Sequence, residues 1–331
     1  MKKIKLSFPS NISHFERQTP GFSCRWGDYQ FFINEEITEC DAWVVCEGLP
    51  ASVESANCPP DQTIFISSEP YSIWRYDHKF LKQFAEIITC QREIKGSAVT
   101  HSLQGHGWHV GAYQADSRGL GLAKSYDELL QTSFVPKTKL LSIISSDKQD
   151  NAGHRQRYRF ALALKQALGD QADIFGRGIN DFTDKWEVLA PYKYSVAIEN
   201  CANDDYITEK LNDCFLAHVF PFYYGAPNIA KYFAPESYEL IDINDLEGTV
   251  KKITAIINDK NHYDQHLSAV IEAKLKYLNH YQLFPLIVEF LNQHQSAMAK
   301  EKIVLNNYGP GLGLNNYLRI VTDKLKNISL V

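Results

Sequence analysis

Two groups of basic residues stand where helices should begin. Lys210 follows Glu209 in a segment where Ile207, Leu211 and Phe215 recur every four residues, the spacing of one apolar helical stripe. A cation near the positive end of a helix dipole is disfavoured by up to about 1 kcal/mol, so something should offset Lys210. A bound phosphate would do so, and so would water or a pairing with Glu209 or Asp213. Arg155, Arg157 and Arg159 crowd a second helix start, ahead of Leu164 and Leu168. Singly, each arginine reads as part of a solvated basic face. Taken with Lys210, they would bring side-chain cations and free backbone N–H groups to one edge of a sheet, which is how a pyrophosphate can be held. Glu69 closes an apolar run and could accept a proton, although a loop glutamate is more often only solvated.

A third cluster lies at His101 to Tyr113, rich in His, Gly and aromatic residues and poor in periodicity. His101, His106 and His109 invite a metal reading. No helical i, i+4 pair or companion carboxylate accompanies them, and a loop that stacks a sugar on Trp108 is the preferred expectation. Asp204 and Asp205 are adjacent acids, read as caps of the helix that carries Lys210. Gly176-Arg177-Gly178 lacks the spacing of a dinucleotide fingerprint.

Positioning these residues calls for alternating strands and helices. Ile4 to Phe8, Tyr29 to Ile33, Ala42 to Cys46, Thr63 to Ser67 and Ala98 to Thr100 read as strands. Trp74 to Ile88 has helical spacing at Phe80, Phe84 and Ile88. After a connection at Ser117 to Pro136, Leu140 to Ser145 restarts the alternation. A helix at His154 to Leu168 and strands at Asp173 to Phe175, Tyr194 to Ile198 and Val219 to Tyr224 follow. Helices are expected over Leu246 to Ile257, Tyr263 to Tyr277 and Pro285 to Gln295, then a turn at Tyr308 to Gly313 and a last helix over Asn316 to Leu325. This is a doubly wound α/β pattern, in which ligands sit beyond the carboxyl ends of strands and at helix starts. Expected domains are 1–135, 136–295 and a helical tail at 296–331.

Ala197-Ile198-Glu199-Asn200, a five-residue loop, Tyr206-Ile207-Thr208-Glu209-Lys210-Leu211, and Phe220-Pro221-Phe222-Tyr223-Tyr224-Gly225-Ala226-Pro227 resemble the signature of the family 10 glycosyltransferases, the α1,3/α1,4-fucosyltransferases. The likeness is strong over about forty residues and looser over Leu140 to Asp245. It implies a GT-B fold, two Rossmann-like domains facing across a cleft with C-terminal helices. It also implies inverting transfer of fucose from GDP-fucose to a hydroxyl of an oligosaccharide, such as O3 of a GlcNAc- or Glc-type residue. Carried over residue by residue, Glu69 is the base and Arg157 the phosphate-contacting arginine, with Arg155 and Arg159 as fallbacks. Asn200, Tyr206, Glu209 and Lys210 bind the donor, and Trp108 and His109 fall on the acceptor side. Without the family, Asn200 is a strand-end turn, Tyr206 a packed ring and Glu209 a solvated helix position. Family members generally do not depend on a bound metal, so no cofactor is expected beyond the donor substrate. The same fold with another nucleotide sugar, or a non-catalytic glycan-binding protein, are the alternatives. Glu47 or the histidines near Trp108 are the next candidates for the base.

Composition bounds the reading. The 331 residues suffice for two α/β cores, and 44% hydrophobic with 22% charged residues is ordinary for a soluble chain. A net charge of −5 gives no general reason to expect nucleic acid or an anionic membrane. Seven cysteines without a CxxC pair suggest neither a disulfide framework nor a zinc site. No apolar run approaches the roughly 20 residues that span a bilayer, and no basic amphipathic ending or heptad repeat marks an anchor. A cytoplasmic protein, at most peripheral to a membrane, is the expectation.

Overall fold

Runs rich in β-branched and aromatic residues become strands, and each of the two units into which the chain divides is built on a parallel sheet. The computed structural model describes residues 1–9, 15–116, 119–122, 124–133, 135–147, 149 and 152–307. Among these, the first unit takes 1–9, 25–104 and 290–307, and the second takes 15–24 and 105–289. The divisions therefore fall at 104/105 and 289/290 rather than at the expected 135/136 and 295/296.

The first unit contains β1 (Lys2–Ser7), β2 (Arg25–Trp26), β3 (Tyr29–Ile33), β4 (Ala42–Cys46), β5 (Val53–Cys58), β6 (Thr63–Ile66), β7 (Glu86–Thr89) and β8 (Val99–His101). Its main sheet runs β2-β3-β1-β4-β6-β7-β8, parallel throughout except for β2 against β3. Every residue of β4 is buried, as expected for a parallel strand covered on both faces. The expected helix over Trp74 to Ile88 is replaced by one helical turn, α1 (His78–Leu81), capped by Asp77, and by β7. Phe80 and Phe84 keep their places against Phe65, with ring centroids 5.4 and 5.3 Å away. The β-branched run Ile87-Ile88-Thr89 then pairs beside β6 and β8 instead of continuing the helix.

The second unit contains β9 (Ala112–Asp116), β10 (Gly119–Leu122), α2 (Tyr126–Gln131), β11 (Lys139–Ile144), α3 (Ala152–Leu168), β12 (Ala172–Phe175), β13 (Tyr192–Ile198), α4 (Glu209–Leu216), β14 (Phe220–Tyr224) and β15 (Glu239–Leu240). Helices α5 (Leu246–Asn258) and α6 (His262–Lys276) follow, and the chain returns to the first unit within α7 (Leu283–Gln293). The sheet runs β12-β11-β13-β14-β15, all parallel. On α3 the buried positions Arg157, Ala161, Leu164 and Leu168 form one stripe, while Arg155 and Arg159 are exposed. The cap of α4 is Thr208, whose hydroxyl accepts the Lys210 N–H, rather than Asp204 or Asp205. Asp205 is instead buried with a left-handed backbone and is held by Asn228 and Tyr232.

The expected helical tail is not helical where it is described: β16 (Glu301–Asn306) pairs antiparallel with β5 from Glu301 opposite Cys58 to Asn306 opposite Val53. Leu305 is drawn into the core around Trp43 and Phe65, a burial that an isolated amphipathic turn would not achieve. The expected turn at 308–313 and the last helix at 316–325 lie outside the described residues.

Candidate active site

In a doubly wound sheet the crevice opens where strand order reverses, beyond the strand carboxyl ends. In the second unit that point lies between β11 and β13, since β12 follows β11 onto one side and β13 lies on the other. A cavity of about 450 Å³ sits there, lined by Ser145 and Ser146 after β11, Arg157 of α3, Lys185, His109, and Glu209 and Lys210 of α4. Gly176 permits the close approach that shapes this edge. Its φ is +146°, and a Cβ would fall 1.6 Å from the Ser145 carbonyl oxygen.

Arg157 and Lys210, far apart in sequence, thus share one cavity. Arg157 lies at the N-terminal end of the buried stripe of α3. It donates Nη1 to Asn200 Oδ1 at 2.7 Å and Nη2 to Ser146 Oγ at 3.3 Å, and its buried Nε has no hydrogen-bond partner. Burial lowers its pKa against the opposing pull of Glu199 and Glu209, yet a guanidinium stays charged. Lys210 Nζ lies 3.3 Å from Glu199 Oε2, 3.2 Å from Glu209 Oε1 and 3.0 Å from Thr208 Oγ1. Burial would lower the Lys210 pKa, but the two glutamates outweigh it and the value rises. Carboxylates already offset this cation, so the phosphate inferred from the helix dipole is not required to explain it.

Glu209 is held well below the usual carboxylate range. Burial opposes this, and Lys210, His109, Lys185 and His106 prevail. Lys185 donates to Asp213 Oδ2 at 2.7 Å and to the Glu209 carbonyl at 3.2 Å. Its ammonium, which burial would discharge, is raised by Asp213 and Glu209. Cations close to hydrogen-bonding side chains at a strand-end crevice can receive a phosphate or diphosphate.

The remaining expected residues separate. Tyr206 is buried, its ring edge-on to His106 at 5.9 Å. Trp108 is 1% exposed, covered by Arg17 at 5.5 Å and edge-on to Tyr277 at 6.3 Å, so it offers no surface on which a sugar could stack. Burying an indole against a cation and a phenol outcompetes its exposure. His109 lines the cavity with Arg157 and Lys210, on the side expected to bind the donor. His101 belongs to the first unit and interacts through Nε2 with the carbonyls of Gln91 and Ile94. Among the described residues no group of three or more His, Cys, Asp or Glu could hold a metal ion.

Glu69 lies three residues beyond β6, half-buried, with its carbonyl accepting from Gln91 Nε2. In the first unit strand order reverses between β1 and β4. A second cavity, of about 470 Å³, opens there among Pro9, Glu47, Glu69, Trp74 and Tyr76. Burial raises the Glu47 carboxyl, against a hydrogen bond with Ser68. The partly exposed indole in this cavity is Trp74.

Sequence reasoning passed over Glu199 and Lys185 as members of the site, and it offered Asp213 as a partner for Lys210, whereas Asp213 pairs with Lys185. Glu199 is 1% exposed and accepts from the Thr208 N–H and hydroxyl at 2.8 and 2.9 Å. A buried carboxylate at a strand end, nine residues before a Thr-Glu-Lys helix start, was the available signal. Lys185, in a short turn between strands, carried none.

Residues 134–294 match the model of glycosyltransferase family 10 (fucosyltransferase), C-terminal part. GDP-fucose protein O-fucosyltransferase 3 of Danio rerio is 41% identical over 238 residues, covering 66% of this chain and 48% of that protein. Alpha-(1,3)-fucosyltransferase FucT of Helicobacter pylori is 29% identical over 124 residues, 38% of this chain and 25% of that protein. The chain thus spans less than half the length of these curated relatives. A solved α1,3-fucosyltransferase structure superposes with a TM-score of 0.50 at 18% identity over 81% of this chain and 80% of that one, a likeness of fold that agrees with the GT-B expectation. Residues 134–294, just under half of the chain, thus carry its similarity to glycosyltransferase family 10, the fucosyltransferases.

Proposed function

We propose that the protein transfers fucose, with inversion, from GDP-fucose to a sugar hydroxyl. The observation that carries this reading is the convergence of Arg157 and Lys210, from the starts of two different helices, on one cavity at the reversal point of a parallel sheet. In the reaction Glu69 takes the proton of the acceptor hydroxyl as its oxygen bonds to the fucose anomeric carbon. The bond from that carbon to the β-phosphate breaks, and the electron pair leaves with GDP. Arg157 and Lys210 meet the charge that develops on the diphosphate. Asn200 holds the guanidinium in place. Glu209 binds a ribose or fucose hydroxyl, and Tyr206 supports the pocket from behind as a packed ring. The Danio rerio relative bears GDP-fucose in its name, which supports that donor. Its description as a protein O-fucosyltransferase adds Ser and Thr hydroxyls to the acceptors worth testing.

The test is to incubate the protein with GDP-fucose, GDP-mannose or UDP-sugars, together with glycan and peptide acceptors, and to measure free nucleotide. Release from GDP-fucose is expected. Glu69→Gln should lower kcat by about 100-fold to 10,000-fold while GDP affinity stays the same. Absence of both GDP binding and GDP release would overturn the proposal, and full activity in the Glu69 variant would move the base elsewhere, first to Glu47.

A further inference from the structure

The loop that carries Trp108 is fastened to α4 by a contact the transfer chemistry does not use. Asp213, one helical turn beyond Glu209 and fully buried, accepts the His109 backbone N–H at 3.0 Å. The same carboxylate receives Lys185 Nζ. The His109 ring is left 67% exposed at the cavity, with Nδ1 4.0 Å from Glu209 Oε1. One helix therefore grips the backbone of His109 with one carboxylate and faces its imidazole with another.

The charges around that imidazole are already balanced. Arg157 of α3, Lys210 of α4, Lys185 beside it and Arg17 behind Trp108 supply the cations. Glu209 and Asp213 of α4, Glu199 at the end of β13 and Asp184 supply the carboxylates. His106 on the same loop and Tyr277 against Trp108 are the other titratable neighbours. A nucleoside diphosphate entering this cavity brings at least two further negative charges, and Glu209 stands beside them with the same sign. Like charges brought close together in a site shielded from bulk water repel each other. The exposed imidazole of His109 is of a type that can gain a positive charge near neutral pH, as is His106 on the same loop.

We infer that His109 takes up a proton from solvent when a nucleoside diphosphate binds, and that the imidazolium joins Glu209 to the diphosphate. With both ring nitrogens protonated, Nδ1–H donates to the Glu209 carboxylate and Nε2–H to a phosphate oxygen. His109 is thereby a donor-binding residue with a conditional charge, not part of an acceptor surface. This inference rests on the diphosphate reading of the cavity.

The experiment is a calorimetric titration of GDP into the full chain at about pH 8, where a terminal phosphate with a second pKa near 6 has already lost its proton. The titration is run in two buffers of different ionisation enthalpy. The wild type should show a heat that differs between the buffers in the sense of net proton uptake. His109→Gln should bind GDP with no difference between buffers and should lose about tenfold in affinity near pH 6.5, but little near pH 9. His106→Gln should keep the uptake. A wild-type heat that is the same in both buffers, or uptake that survives in His109→Gln, overturns the inference while leaving the diphosphate site standing. Absence of any GDP binding overturns the diphosphate reading and this inference with it.

Discussion

Replacing Glu199 by Gln tests whether the buried carboxylate behind Lys210 is a structural support or a ligand-binding group. Glu199 is 1% exposed, and its Oε2 lies 3.3 Å from Lys210 Nζ. At that separation and an effective dielectric near 20 the attraction is about 5 kcal/mol. Two facts reduce the net loss. The lysine side chain is 21% exposed and keeps Glu209 at 3.2 Å, and the neutral amide no longer bears the desolvation cost of a buried charge. Against this, Gln presents one acceptor and one donor where the carboxylate presents two acceptors to the Thr208 hydroxyl, at 2.9 and 2.8 Å. We expect a net destabilisation of about 2–3 kcal/mol. For a unit of 150–250 residues about 2–4 °C of Tm accompany each kcal/mol, so the transition should fall by about 4–12 °C. The assay is thermal unfolding with and without GDP, following the transition that GDP shifts. GDP affinity should hold or tighten, because Lys210 sheds one of its two anionic neighbours. An unchanged Tm would refute the energetic argument. Lost GDP affinity in a folded protein would mean that Glu199 touches the ligand, which the geometry does not allow for.

Three further outcomes follow from the same contacts. Lys210→Ala removes one charge-assisted partner, about 1.5–3 kcal/mol, and should weaken GDP binding by about 10-fold to 100-fold with a parallel loss of turnover, both read in a GDP-release assay. Trp108→Ala should act as a core deletion, costing about 3–5 kcal/mol in denaturant titrations and leaving the acceptor KM of the folded fraction unchanged; a selective rise in acceptor KM would restore Trp108 to the acceptor side. His218 is 2% exposed and its Nε2 accepts Lys274 Nζ at 3.0 Å. Burial first, then Lys274 and Lys137, push its pKa down to about 3. Because the unfolded imidazole titrates near 6.5, its contribution is present above that pH and is lost as pH falls from about 6.5 to about 3, with a slope of at most about 1.4 kcal/mol per pH unit. His218→Gln keeps an acceptor for Lys274 and should flatten this acid limb in a pH series of unfolding midpoints; an identical slope would exclude His218 as its origin.

Much of the sheet architecture was legible because its strands are short β-branched runs separated by polar turns. Arg157 falls on the buried stripe of α3 that Leu164 and Leu168 mark, whereas read singly it was part of a solvated basic face, and the resemblance alone picked it out from Arg155 and Arg159. Periodicity failed where two structures share one spacing. Phe80, Phe84 and Ile88 fit a helix equally well, and only the parallel neighbours of β7 decide for a strand. Caps were misread because Asp205 and Thr208 have similar intrinsic preferences, and the choice depends on Asn228 and Tyr232, which a helix-start rule does not consult. Trp108 looked like a surface ring because its loop has no apolar period, while its cover comes from Arg17 and Tyr277, far away in sequence. The division between the units escaped notice for a related reason: at 289/290 it falls inside the continuous helix α7, where composition does not change.

The pairing of β5 with β16 bears on how the protein is made. Val53 finds its partner only when Asn306 has been synthesised, so during translation the first unit waits, one strand short and with the place of Leu305 in its core unfilled, while the whole second unit emerges and can close. The emergence of residues 301–306, rather than the appearance of the early strands, then sets the moment at which the N-terminal half becomes resistant to proteases, and nascent chains stalled before residue 301 should be cut between residues 53 and 58 first.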